Sequence, residues 1–89
     1  MKTSSPPSYY DIFPIFTGAT LTNYTVPAHR GLYVTTTVTN NTGIVVENID
    51  GTTSGFPIIA NTATIFPLVI KTITTTLGNT TSIKIYGLL

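Results

Sequence analysis

Few side chains in this chain are capable of catalysis. There is one histidine, His29, and there are three carboxylates, Asp11, Glu47 and Asp50. A nucleophilic triad would need a carboxylate behind His29, and nothing in the spacing suggests one. A metal site on His29 would need copies of it from neighbouring subunits. We therefore interpret His29 as a surface residue of a turn, and we predict no catalytic residue, no metal site, no cofactor and no enzymatic activity.

Two of the carboxylates lie close together in the sequence. The spacing of Glu47 and Asp50 suggests a catalytic carboxylate pair, but Asp50-Gly51 is also a favoured pair for a type I′ hairpin turn. Both residues of that pair tolerate the positive φ that the turn requires. We predict a hairpin at Asp50-Gly51, with Glu47 at the exposed end of a strand.

Asn-x-Thr sequons begin at Asn23, Asn40 and Asn79. Such sequons arise easily by chance here, because 20 of the 89 residues are threonine. The start of the chain has one positive charge but no apolar h-region, so we expect no signal peptide and synthesis in a cytoplasm. Glycosylation is therefore not expected.

Alternating threonines form two rows, at Thr35, Thr37 and Thr39 and at Thr72, Thr74 and Thr76. A flat array of hydroxyls on a strand would suit ice binding. Threonine is also the polar β-branched residue that fits a solvent-facing strand. Ice-binding solenoids have a fixed repeat, which this chain lacks, so we interpret both rows as solvent-facing strand residues.

The composition restricts the partners of the chain. Hydrophobic residues make up 42% and charged residues only 8%, with a net charge of +1. Phosphate binding needs clustered Lys and Arg, which are scattered here, so we expect no nucleic-acid partner. The longest nearly apolar run, 65–70, is far too short to cross a membrane. A small chain without cysteine and with little charge gains stability by packing against copies of itself, and we expect a homo-oligomer.

Most of the chain from Gly18 onwards is predicted to form β-strands. Segments rich in Thr, Val, Ile and Tyr are bounded by turn residues, and we predict strands at 19–26, 32–39, 43–49, 56–60, 63–76 (with a break at Pro67) and 81–88. No segment repeats at the helical period. Alternation places Leu32, Val34 and Thr36 on one face and Tyr33 and Thr35 on the other. The sequence predicts an all-β fold, a small antiparallel β-sandwich or jelly roll, over residues 18–89.

Residues 1–17 read as an extended N-terminal arm, Ser/Pro-rich at first and aromatic afterwards. Aromatic side chains on an arm bury a large area for few residues, which makes them candidate partner-binding anchors. These candidates are Tyr9, Tyr10, Ile12, Phe13, Ile15 and Phe16. The alternative that stays open is that they cover the end of their own sandwich.

The pattern over residues 20–89 resembles small β-sandwich virion proteins of tailed bacteriophages, of the capsid-decoration and spike-base types. The segments that carry the resemblance are GLYV at 31–34, GIVVENIDGT at 43–52, FPIIANTATIFPLVIKTI at 56–73 and NTTSIKIYGLL at 79–89. Where such proteins often have glycine, this chain has Asn61, which also tolerates the left-handed conformation.

The resemblance implies a structural protein of the virion, with a trimer as the favoured oligomer because it matches threefold positions of a shell. The first expectation is a capsid decoration or cement protein that binds the major capsid protein on the outer surface of the shell and stabilises it. The alternatives are a tail, spike-base or fibre component, or a carbohydrate- or surface-binding module that uses Tyr24, Tyr33 and Tyr86.

Overall fold

A computed structural model describes Tyr9 and residues 11–89. The described residues contain eight strands and no helix. The strands are β1 (Ile12–Phe16), β2 (Tyr24–Thr25), β3 (Gly31–Thr36), β4 (Thr42–Glu47), β5 (Thr53–Ile58), β6 (Ala63–Phe66), β7 (Thr72–Ile73) and β8 (Ile83–Leu88). The prediction of an all-β fold is confirmed, and so is the break at Pro67, since β6 ends and β7 begins on either side of it.

The strands form two four-stranded antiparallel sheets, sheet 1 in the order β1-β8-β3-β6 and sheet 2 in the order β2-β7-β4-β5. Within them β1 pairs with β8, β2 with β7, β3 with β6 and β4 with β5. This pairing is that of one long hairpin folded over on itself. Rolling it up also brings β3 beside β8 and β4 beside β7. The fold is therefore an eight-stranded jelly roll.

The core lies between the inner faces of the two sheets. Its largest fully buried side chains are Phe16, Leu32 and Ile85 from sheet 1 and Ile58 and Ile73 from sheet 2. Because side chains alternate along a strand, the predicted inner face of β3 is confirmed by the burial of Leu32, Val34 and Thr36. The Thr36 hydroxyl donates a hydrogen bond of 2.6 Å to the Ile59 carbonyl, so this buried polar group also holds the β5–β6 loop.

Strand β1 corrects the predicted division of the chain at residue 17. Ile12–Phe16 forms the edge of sheet 1 and pairs with β8, so the folded unit includes these residues. Pro14 interrupts the apolar segment, which is why the sequence predicted an extended arm rather than a strand. Proline is tolerated on an edge strand, where one side of the backbone has no partner strand, and Pro57 on the edge strand β5 follows the same rule.

The hairpin between β4 and β5 lies where it was predicted, but its turn type is different. The Gly51 N–H donates to the Asn48 carbonyl and the Asn48 N–H donates to the Thr52 carbonyl. Gly51 has a φ of 90°, whereas Asp50 is not among the residues with positive φ. The loop is therefore a three-residue turn closed by a left-handed glycine rather than type I′. Asn61 has a φ of 51°, as predicted.

Candidate functional site

One end of the jelly roll gathers the start of β1, the end of β8 and three loops, 26–30, 48–52 and 67–71. We call it the charged end, because five of the six charged residues among those described lie there. They are Asp11, Arg30, Glu47, Asp50 and Lys71, while Lys84 lies on sheet 1. Two backbone hydrogen bonds, from the Lys71 N–H to the Glu47 carbonyl and from the Val26 N–H to the Lys71 carbonyl, tie the loops together.

The charged end also exposes large apolar side chains. Ile12, Ile49, Leu68 and Val69 are between 37% and 64% exposed, and Ile49 is the most exposed of them. The opposite end, formed by loops 17–23, 37–41, 59–62 and 74–82, exposes Ile59. Exposed apolar groups rimmed by charged ones are typical of an interaction surface.

The predicted partner-binding residues do not form one exposed surface. Ile15 and Phe16 are buried in the core, and a bulge in the β1–β8 pairing lets consecutive residues both point inward. Phe13 packs against the core, with its ring on the backbone of Gly87. These three side chains cover their own sandwich, which is the alternative left open by the sequence. Ile12 remains half exposed, and Tyr10 lies outside the described residues.

Tyr9 packs on the outer face of sheet 1. Its ring lies against Gly31, where a Cβ would be 2.9 Å from the Tyr9 Cζ. The Arg30 guanidinium carbon is 5.7 Å from the centre of the same ring, within the range of a cation–π contact. The Tyr9 hydroxyl is buried and has no hydrogen-bond partner in the described part of the chain. The sequence gives no sign of this contact, because it depends on a glycine distant along the chain.

A row of apolar and aromatic side chains crosses the outer face of sheet 1. Pairing between strands places Pro14 opposite Tyr86, Tyr86 opposite Tyr33 and Tyr33 opposite Ile65. The Tyr33 and Tyr86 rings are 6.1 Å apart and tilted by 33°. We call these four residues the aromatic strip. Tyr24, which the sequence grouped with the two tyrosines, packs against the core from sheet 2.

His29 is buried, and the prediction of a surface turn residue is wrong. Its Nδ1 lies 2.7 Å from the Pro27 carbonyl oxygen, and its Nε2 accepts a hydrogen bond of 3.2 Å from the Ile70 N–H. Since a carbonyl only accepts and an N–H only donates, these partners fix the proton on Nδ1. Both ring nitrogens are therefore occupied: Nδ1 bonds within loop 26–30, and Nε2 joins this loop to loop 67–71.

The carboxylates of Glu47 and Asp50 make separate contacts. Glu47 lies 3.9 Å from the Lys71 ammonium. Asp50 accepts hydrogen bonds from the Thr52 hydroxyl, at 2.7 Å, and from the Thr52 N–H, at 3.0 Å. These two hydrogen bonds hold the pKa of Asp50 below its ordinary value of 3.8, and the bond from the hydroxyl has the larger effect. These contacts serve the hairpin and leave no carboxylate pair.

The predicted threonine rows are not flat arrays. Strand β7 ends at Ile73, and β3 ends at Thr36, so each row leaves its strand after the first member. The Thr74 hydroxyl donates to the Val45 carbonyl at 2.9 Å, and the Thr75 hydroxyl accepts from the Val45 N–H. Hydroxyls in this region bind the backbone of β4.

Among the described residues, no group of three His, Asp or Glu side chains is placed to hold a metal ion. The same residues include no helix with the length and hydropathy needed to span a bilayer.

The comparisons with known proteins add no relative: no family model, no curated protein and no solved structure matches this chain.

Proposed function

We propose that this protein is a non-enzymatic structural protein of a virus particle, and that it binds the outer surface of the shell as a decoration or cement protein. The observation that carries the proposal is the asymmetry of the surface. Most of the charged residues and four large exposed apolar side chains lie at one end of a rigid jelly roll.

The charged end has the composition of a docking surface. Ile49, Leu68 and Val69 come from two loops, and burial of such side chains against a partner is favourable by roughly 25 cal/mol for each Å² of apolar surface removed from water. The charged residues at the same end would fix the orientation in which the partner binds, because mismatched charges across an interface are costly. The rest of the surface is dominated by uncharged Thr and Asn, which offers little repulsion to close neighbours.

The fold supports the same proposal by analogy. Jelly rolls are a common architecture of viral capsid proteins, although lectins and cupins share it. Repeated contacts through many copies, each of modest affinity, would hold neighbouring shell subunits together by avidity. A trimer fits this role, because it matches threefold positions of a shell.

The experiment uses virus particles from the source that are produced without this chain. The purified chain is added back, and bound chain is measured by co-sedimentation. We expect Ile49→Asp to weaken binding at least about tenfold, because it places a charge in the apolar contact.

The matched control is Ile59→Asp, the same substitution at an exposed residue of the opposite end. We expect it to bind as the unaltered chain does. Loss of binding with Ile59→Asp but not with Ile49→Asp would contradict docking through the charged end, and no binding of the unaltered chain would contradict the decoration role.

A tail, spike-base or fibre component remains the second candidate. It would use the same fold and the same surface, and it would differ in the number of copies on each particle.

A further inference from the structure

The aromatic strip is a second candidate binding surface, on a face of the molecule rather than at the charged end. We propose that it binds an acidic oligosaccharide, a short chain of uronic acid rings. The tyrosine rings would stack on the C–H faces of the sugars, and the Lys84 ammonium would pair with a carboxylate. This inference does not rest on the proposed virion function.

The size of the strip favours a small extended ligand. Its four residues lie at one level on four neighbouring strands, so the strip is about 14 Å long and one residue wide. A second copy of the chain would have to cover much more of the sheet than this strip, because each partner of a stable protein complex buries about 800 Å². Two or three linked sugar rings have a length that matches the strip.

The two tyrosines are available as a stacking surface. Both are half-buried, with Ile65 beside them 53% exposed. Their hydroxyls make no hydrogen bond to another described residue and are not buried without a partner. Each therefore offers a flat ring together with a hydroxyl that can bond the rim of a sugar.

The charge of this face points to an acidic ligand. Lys84 precedes Tyr86 by two residues on β8, so both side chains are on the same outer face, about 7 Å apart. Lys84 makes no ion pair with any described residue. The carboxylates Asp11, Glu47 and Asp50 all lie at the charged end, so none on this face opposes an anion.

Single-stranded nucleic acid is the competing occupant, since it also stacks on aromatic rings. Its affinity depends on neutralising several phosphates. Among the described residues, this face carries Lys84 alone beside the strip, with Arg30 at its edge against the Tyr9 ring. A uronate carboxylate needs only one cation, which agrees with what the strip provides.

The test is a titration of the ¹⁵N-labelled chain with a panel of acidic trisaccharides: trigalacturonate, trimannuronate and triguluronate. The fully methyl-esterified form of each trisaccharide provides a neutral ligand with the same rings, and a thymidine hexanucleotide provides the nucleic-acid comparison. We expect at least one acidic trisaccharide to shift the amide signals of Tyr33, Lys84 and Tyr86. Its own methyl ester should bind more weakly.

Variants separate the two parts of the site. Tyr33→Ala should weaken binding about tenfold through loss of stacking, and Lys84→Gln should remove the preference for the acid over the ester. The matched controls are Val45→Ala, an exposed apolar residue of sheet 2, and Lys71→Gln, a lysine of the charged end; both should bind normally. Should Tyr33→Ala fail to fold, Ile65→Ala serves as the second variant, since Ile65 lies outside the core, and we expect a smaller loss of binding.

Three results would overturn the inference: no signal shift with any of the acidic trisaccharides, equal binding of acid and ester, or tighter binding of the hexanucleotide. Failure here leaves the shell-binding experiment unaffected, because that experiment probes Ile49 at the charged end. Binding of a trisaccharide by a chain that does not bind particles would refute only the virion function.

Discussion

His29 joins two loops of the charged end, because its Nδ1 bonds Pro27 in its own loop and its Nε2 accepts from Ile70 in the other. The sequence could not reveal this, because a lone histidine in a Pro- and Gly-flanked segment is typical of an exposed turn, and its partner Ile70 is 41 residues away. The role of His29 follows from the buried Ile70 N–H, which needs a hydrogen-bond acceptor.

Replacing His29 tests this role. His29→Phe keeps a ring but leaves the Ile70 N–H without an acceptor, and we expect the free energy of unfolding to fall by about 2 kcal/mol. Urea denaturation measures the change. In the unaltered chain, ¹⁵N shifts of the imidazole should show the proton on Nδ1. A proton on Nε2 would contradict the assigned hydrogen bonds.

The lowered pKa of Asp50 predicts how the stability of the hairpin changes in acid. Since the Thr52 hydrogen bonds lower its pKa in the folded state, the stabilising contribution of this carboxylate is present above about pH 3.8 and is lost as the pH falls through the lower, folded-state value. We expect the side-chain carbon signal of Asp50 to titrate below 3.8, together with the Thr52 amide. A midpoint at or above 3.8 would be contrary to this account.

At the scale of elements, alternation and turn chemistry predict most of the strands, but strand lengths and edges depend on pairing. The predicted segment 19–26 contributes only Tyr24–Thr25, because its partner β7 is just as short. Strand β1 was missed because Pro14 is a breaker in isolation, and only its place at the edge of sheet 1 makes it acceptable. Asn61 was predicted correctly, because the left-handed conformation is a local property.

The attachment of β1 depends on a glycine of its neighbour. An ideal Cβ on Gly87 would come within 2.6 Å and 2.8 Å of the Phe13 Cε atoms. We therefore expect Gly87→Ala to lower the free energy of unfolding by about 1–3 kcal/mol, measured by urea denaturation. The control is Gly55→Ala, where a Cβ meets no atom within 4 Å and the change should stay within about 0.5 kcal/mol. Equal effects of the two substitutions would show that Phe13 does not rest on Gly87.

At the scale of the whole molecule, the jelly roll separates two surfaces. The charged end combines apolar side chains with most of the charges, whereas the outer face of sheet 1 carries the aromatic strip and one lysine. The sequence predicted the arm as the adhesive part and did not predict the charged end, because the residues of that end come from the start of β1 and from three loops that are distant along the chain. Pairing of β3 with β8 likewise brought Tyr33 and Tyr86 together from opposite halves of the chain.

If this chain decorates a shell, as we propose, its copy number on purified particles must follow that of the main shell protein. Quantitative mass spectrometry of virus particles from the source gives the ratio of this chain to the main shell protein. The decoration role predicts hundreds of copies in a fixed ratio to the shell subunit. A handful of copies would assign the chain to the tail or spike, and its absence from the particles would contradict a role in the virion.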